Sequence, residues 1–110
     1  MGLPEVHADV VYLDFESGPR VELIRYNRPP ADRPENIGRP NAPGLRHMAF
    51  GVDDIDAIVA RLKHAGVRFF SDVQRVPESQ VTYAGGVRKR LVYFADPEGN
   101  LLELCEYKPG

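Results

Sequence analysis

Two stretches far apart in the chain share one pattern: Leu45-Arg46-His47-Met48-Ala49-Phe50 and Leu101-Leu102-Glu103-Leu104-Cys105. Each is a short apolar strand carrying one residue able to bind a metal. Side chains alternate across a strand, so His47 shares a face with Leu45 and Ala49, while Met48, Phe50 and Val52 take the other. By the same rule Glu103 lies beside Leu101 and Cys105, with Leu102 and Leu104 opposite. If both apolar faces pack on a helix, His47 and Glu103 meet on the other face of one sheet. An imidazole and a carboxylate converging there suit a hard or borderline divalent cation.

The helix is the best-specified element. Ile55, Ile58, Val59 and Leu62 recur at i, i+3, i+4 and i+7 and form one apolar stripe. Asp53 is placed to cap the N-terminus, and Asp54 and Asp56 add negative charge where the helix dipole favours it. Lys63 and His64 fall in the last turn, and Gly66 fits the left-handed position just past the end. The spacing predicts a helix from Asp54 to Ala65. Val67–Val73 then reads as a strand, followed by a polar turn near Pro77-Glu78-Ser79. Gln80–Ala84 and Val87–Ala95 flank Gly85-Gly86, a pair suited to a tight hairpin. Asp96-Pro97-Glu98-Gly99-Asn100 is a turn, with Pro97 preset for the bend. Apart from the short Gln80–Ala84 arm of that hairpin, the order from Leu45 on is β-α-β-β-β.

The first part of the chain is simpler. Val10–Phe15 and Arg20–Tyr26 are β-rich runs around Glu16-Ser17-Gly18-Pro19, which predicts a hairpin. Residues 27–44 contain Pro29, Pro30, Pro34, Pro40 and Pro43 with few apolar residues, so they predict an extended connector. Connectors of this length usually join two structural units or cover a site. The expected organisation is a hairpin over 1–26, a connector over 27–44 and a β-α-β-β-β module over 45–107.

Composition narrows the function classes. At 110 residues there is room for one domain with one core. A formal net charge of −2 and the lack of a basic stripe argue against nucleic acid. No apolar run approaches the length of a membrane span, and no signal-peptide core opens the chain. The lone cysteine, Cys105, excludes an intrachain disulfide and fits a reducing cytoplasm; its apolar strand marks it as a small core residue rather than a nucleophile. His7 and His64 read as surface histidines, and Glu106 as an exposed edge-strand residue. Arg88 and Arg90 share one face of their strand, with Lys89 on the other. If the arginine face is the one that meets substrate, either can hold a carboxylate or phosphate in a bidentate contact. Tyr83, beside Gly85-Gly86, is placed to close over a ligand.

The combination of Arg46-His47-Met48-Ala49-Phe50, Val52-Asp53-Asp54-Ile55 and Asp96-Pro97-Glu98-Gly99-Asn100-Leu101-Leu102-Glu103 resembles the vicinal oxygen chelate superfamily. That group includes glyoxalase I, methylmalonyl-CoA epimerase, extradiol dioxygenases, and bleomycin- and fosfomycin-resistance proteins. The resemblance covers residues 44–107. It implies an α+β fold of paired βαβββ modules, a mixed curved sheet with the helix on its convex face, and metal ligands from the first and last strands of each module. His47 and Glu103 are then the second module's ligands. Val21-Glu22-Leu23-Ile24 resembles the last strand of a first module, which makes Glu22 the third ligand. The fourth in the family is a His in that module's first strand. The family's opening β-α-β has no counterpart here, so the first module is expected to be incomplete. Either an upstream segment or a second copy in a homodimer is expected to complete it.

Two function classes follow from the resemblance. One is a divalent-metal-dependent lyase or isomerase (Mg, Mn, Co, Ni or Zn) that moves a proton next to a chelated carbonyl of a small substrate. Glu22 or Glu103 would act as general base. The other is a metal-free sequestration protein of the bleomycin-resistance type, which has no need of His47 and Glu103 together.

Overall fold

A computed structural model describes residues 5–35, 37, 39–41, 43–77, 79 and 84–109. The chain divides into two compact units, one ending at Pro34 and one beginning at Glu35. The division falls inside the predicted connector.

The first unit is an antiparallel pair, β1 (His7–Leu13) and β2 (Val21–Arg28). Its strands lie within a few residues of the predicted runs. Seven residues, 14–20, join them, so the connection is a wide loop rather than a tight turn. The Arg20 guanidinium closes the loop on Asp14 at 2.6 Å and lies 4.8 Å above the Tyr12 ring. Register sets Val11 opposite Leu23, Val10 opposite Ile24 and Tyr12 opposite Glu22. Alternation then places apolar side chains on both faces of the hairpin, where Val11, Tyr12 and Leu23 are each about half exposed.

The second unit is the predicted β-α-β-β-β. Its elements are β3 (His47–Gly51), α1 (Ile55–His64), β4 (Gln74–Arg75), β5 (Arg88–Ala95) and β6 (Leu101–Lys108). The sheet order is β3-β6-β5-β4, with β3 parallel to β6 and the other neighbours antiparallel. This topology makes β6 a central strand flanked by the first and third strands of the module. Helix α1 covers one face. Ile55, Val59, Val92, Phe94 and Leu104 form the buried cluster, with Phe50, Val52, Ile58, Leu62 and Leu102 packed against it.

Both helix ends follow physical rules, with one shift from the expected cap. Asp54, not Asp53, is the N-cap: its carboxylate accepts the Ala57 N–H at 3.1 Å. That N–H lies three residues on, within reach of Asp54 in its extended conformation. At the other end Gly66 has φ +91°, as expected. Its N–H donates to Lys63 O, and the Val67 N–H donates to Leu62 O, both at 3.0 Å. These bonds satisfy carbonyls the helix leaves open.

Two expectations are corrected. Val67–Val73 is not a continuous strand: Phe69 bridges to Phe94, the Phe70 N–H donates to Tyr93 O, and pairing resumes at β4. Ser71 and Asp72 interrupt it, where the Ser71 hydroxyl donates to the Asp72 carbonyl at 2.9 Å instead of leaving the ladder to continue. Glu106 is not an exposed edge residue but buried, at 3% exposure. Its carboxylate accepts the Ile55 N–H at 3.0 Å and pairs with Arg90, which also reaches Asp56 at 2.8 Å. An acidic side chain at the first turn of α1 meets both its open N–H and its dipole.

The expected Gln80–Ala84 strand and Tyr83 lie outside the described residues, apart from the short turn over Ala84–Gly86. Gly85 and Gly86 have φ +75° and +68°, the left-handed conformation that the pair suggests. The Asp96 turn forms as its sequence implies. The Asp96 carboxylate accepts the N–H groups of Glu98 and Asn100, and Gly99 takes φ +90°.

The Ile55 N–H and the Arg90 guanidinium, against the opposing effect of burial, hold the Glu106 carboxyl below its ordinary value of 4.5. A depressed folded-state pKa stabilises the fold above the unfolded value and loses that contribution as pH falls through the folded one. Glu106→Gln should therefore unfold at lower urea than the parent at pH 7, and the difference should shrink below pH 4.5. Urea midpoints at pH 7 and at pH 3 check this. An equal difference at both would remove the charge from the account.

Candidate functional site

The face opposite α1 carries the residues singled out from alternation. β3 runs beside β6 with His47 opposite Leu101 and Ala49 opposite Glu103. The structure brings His47 Nε2 to 3.3 Å from Glu103 Oε1. Tyr93 on β5 is paired with Glu103, and its ring stands edge-on to His47, centroids 5.5 Å apart at 87°. Glu103 is 3% exposed and His47 about one third exposed along its side chain, so the carboxylate is buried and the imidazole faces outward.

A buried carboxylate needs a partner, and the main one is a residue that no sequence motif singles out. Lys89 Nζ lies 3.0 Å from Glu103 Oε2. The contact is an ion pair rather than an aligned hydrogen bond. The ammonium also sits 5.5 Å above the Tyr107 ring. Burial by itself would lower the Lys89 pKa, but the Glu103 carboxylate and then the Tyr107 side chain together more than offset it, and the ammonium is held well above its ordinary range. The signal for Lys89 was parity. Val92 and Phe94 face α1, so Arg88 and Arg90 share their side and Lys89 takes the other.

That parity corrects the arginine expectation. Arg90 lies on the helix side, bonded to Asp56 and Glu106, and Asp56 and then Glu106 raise its pKa further. Arg88 alternates onto the same side and is exposed. Neither shares the face of His47. Glu22 lies in the first unit, exposed on β2 opposite Tyr12. Among the described residues no three His, Cys, Asp or Glu side chains stand together as a ready-made metal group.

Cys105, next but one to Glu103, is buried, and its thiol approaches the Phe50 carbonyl at 3.7 Å. Burial chiefly, with Glu103 adding, raises its pKa against the opposing pull of Lys89. A thiol kept protonated in this way is a core residue rather than a nucleophile. A cavity of about 330 Å³ opens between β4 and β5, lined by Gln74, Arg75, Val76, Pro77, Leu91 and Tyr93. Leu91 and Tyr93 alternate onto the His47 face, and the Tyr93 ring that stands edge-on to His47 also lines the cavity. Among the described residues, no helix is long and apolar enough to cross a membrane.

The donor pair fits a divalent ion. Two ligands about 2.0–2.2 Å from one cation stand about 2.8–3.6 Å apart in octahedral or tetrahedral geometry, which brackets the observed 3.3 Å. One nitrogen and one oxygen without thiolate suit Mg, Mn, Co, Ni or Zn and do not choose among them.

Comparison with known proteins agrees with the topology. The uncharacterized protein YaeR of Escherichia coli (strain K12) is 43% identical over 86 residues, 78% of this chain and 57% of its own length. YwkD of Bacillus subtilis (strain 168), also uncharacterized, is 36% identical over 75 residues, 68% of this chain and 52% of its own length. The chain thus spans a little over half of these curated relatives. A glyoxalase family protein from Bacillus cereus superposes with a TM-score of 0.71 at 30% identity, over 96% of this chain and 64% of that one. Residues 3–104 match a family model, and on that match the chain belongs to the Glyoxalase/Bleomycin resistance protein/Dioxygenase superfamily.

Proposed function

We propose that this chain carries the metal-binding module of a lyase or isomerase of the glyoxalase or epimerase type, acting on a small substrate by proton transfer beside a carbonyl. The observation that carries the reading is the convergence of His47 Nε2 and Glu103 Oε1 at 3.3 Å on the face opposite the helix. His47 and Glu103 hold the divalent cation, with Glu22 as a third donor on the strength of the family pattern. Bound there, the cation supplies Lewis-acid stabilisation of the charge that develops on a carbonyl oxygen. Glu22, or Glu103 once its Oε1 leaves the cation, would take the proton as general base. Tyr93 and Leu91 present an apolar wall for the body of the substrate, leading into the cavity beside β4. A lone thiol stays reduced in the cytoplasm, where we place the reaction.

The assembled site is proposed to need a second copy of the chain. The β1–β2 hairpin exposes Val10, Val11, Leu13, Leu23 and Ile24 at 40% or more, and a two-stranded sheet is marginal without further packing. A homodimer covers that surface and supplies further donors.

Solvent deuterium incorporation tests both parts at once. Thiohemiacetals of 2-oxoaldehydes and 2-methylmalonyl thioesters, which carry two adjacent or bridging oxygens, should exchange the proton next to the carbonyl when Mn²⁺ or Zn²⁺ is present. Exchange should follow the dimer in fractions sized by sedimentation. Tight substrate binding without exchange, with metal or without, would favour sequestration of the bleomycin-resistance kind.

A further inference from the structure

The two oxygens of Glu103 have different partners. Oε1 faces His47 Nε2 at 3.3 Å, and Oε2 faces Lys89 Nζ at 3.0 Å. The Lys89 side chain is itself mostly buried, at 14% exposure, and the carboxylate at 4%. The ammonium is therefore a fixed charge of the site and not a passing surface contact.

From this division we infer that Lys89 is a positioning residue that makes Glu103 a one-oxygen ligand and so selects against Ca²⁺. The inference rests on the reading of His47 and Glu103 as cation ligands. A cation chelated by both oxygens would approach Oε2 to about 2.3–2.6 Å if it were Ca²⁺, at the oxygen that already meets the ammonium. Two like charges would then share one atom in a buried place, where screening is weak. A cation held on Oε1, beside the imidazole, would have the width of the carboxylate between it and Lys89. Ca²⁺ takes six to eight oxygens and commonly uses carboxylates through both. Mg²⁺, Mn²⁺ and Zn²⁺ are served by a single carboxylate oxygen with a cis nitrogen. The ammonium has a second effect: it neutralises a buried carboxylate before any cation arrives, so the ligand is oriented in the metal-free protein.

Calorimetric titration of the full chain with Mn²⁺ and, separately, with Ca²⁺ tests this on the parent, Lys89→Met, Lys89→Gln and Lys89→Arg. The parent should prefer Mn²⁺. In Lys89→Met the Ca²⁺-to-Mn²⁺ affinity ratio should rise at least about tenfold as the repulsion is removed. Lys89→Gln should rise in the same way, and it serves if the Met variant fails to fold by circular dichroism. Lys89→Arg, which keeps the charge, should retain the parent ratio. A ratio unchanged in the neutral variants overturns the role of Lys89 while leaving the His47–Glu103 site intact. A parent that binds no Mn²⁺ removes the site, and this inference with it.

Discussion

Alanine in place of Ile55 should cost about 2–5 kcal/mol of stability, the range for deleting a buried branched side chain where the surroundings relax only in part. Ile55 has no exposure and sits at the centre of the cluster formed with Val59, Val92, Phe94 and Leu104. Its backbone N–H, bonded to Glu106, survives the substitution, so the loss reads packing and not capping. Ile58 and Leu62 lie on the same stripe but are half-buried, and alanine there should cost about 1 kcal/mol, near the centre of single-substitution effects. Urea unfolding with an unchanged slope gives both values. A change below half of 1 kcal/mol at Ile55, or a larger loss at Ile58, would put the helix on the sheet by another face.

How far the fold could be read in advance depended on how many independent signals met at each element. Helix α1 had a stripe, an acidic first turn and Gly66, and it appeared within a residue or two at each end. The His47–Glu103 encounter followed from period-two alternation in strands whose helix-facing sides were plainly apolar. β5 was harder because Leu91, Val92, Tyr93 and Phe94 are apolar on both sides, so parity alone did not say whether the arginines or Lys89 faced the site. The packing of Val92 and Phe94 against α1 and the pairing of Tyr93 with Glu103 fix it. Glu106 shares parity with Leu102 and Leu104, which pointed to the helix side. Its partner, the Ile55 N–H, lies 51 residues away, and no local pattern announces such a contact. The interrupted edge at Ser71-Asp72 was invisible for a related reason. A two-residue polar break resembles ordinary solvent-facing alternation until the neighbouring strand shows which bonds are missing.

Metal content should fall at least about a hundredfold in affinity in His47→Ala and in Glu103→Gln, since loss of even an outer partner of a ligand costs ten- to a hundredfold. The glutamine keeps the shape of Glu103 beside Lys89, where alanine would also open a cavity next to a buried cation. With the imidazole gone, one carboxylate oxygen is left, and water competes well for a cation held by a single oxygen. With the carboxylate gone, the remaining imidazole stands near an ammonium whose countercharge has been removed, which repels any divalent ion. Because the two groups act as one chelate, the double variant should lose little beyond either single one. His64→Ala, at the end of α1, should retain the parent's metal. Glu22→Ala is the separate question of a third donor, and a partial loss there would bring the hairpin into the site. Elemental analysis after dialysis against a defined Mn²⁺ or Zn²⁺ concentration, with circular dichroism to confirm folding, decides among these. Unchanged metal in both His47→Ala and Glu103→Gln would sink the chelate and with it the proton-transfer reading, and sequestration of a small molecule would then be the stronger account.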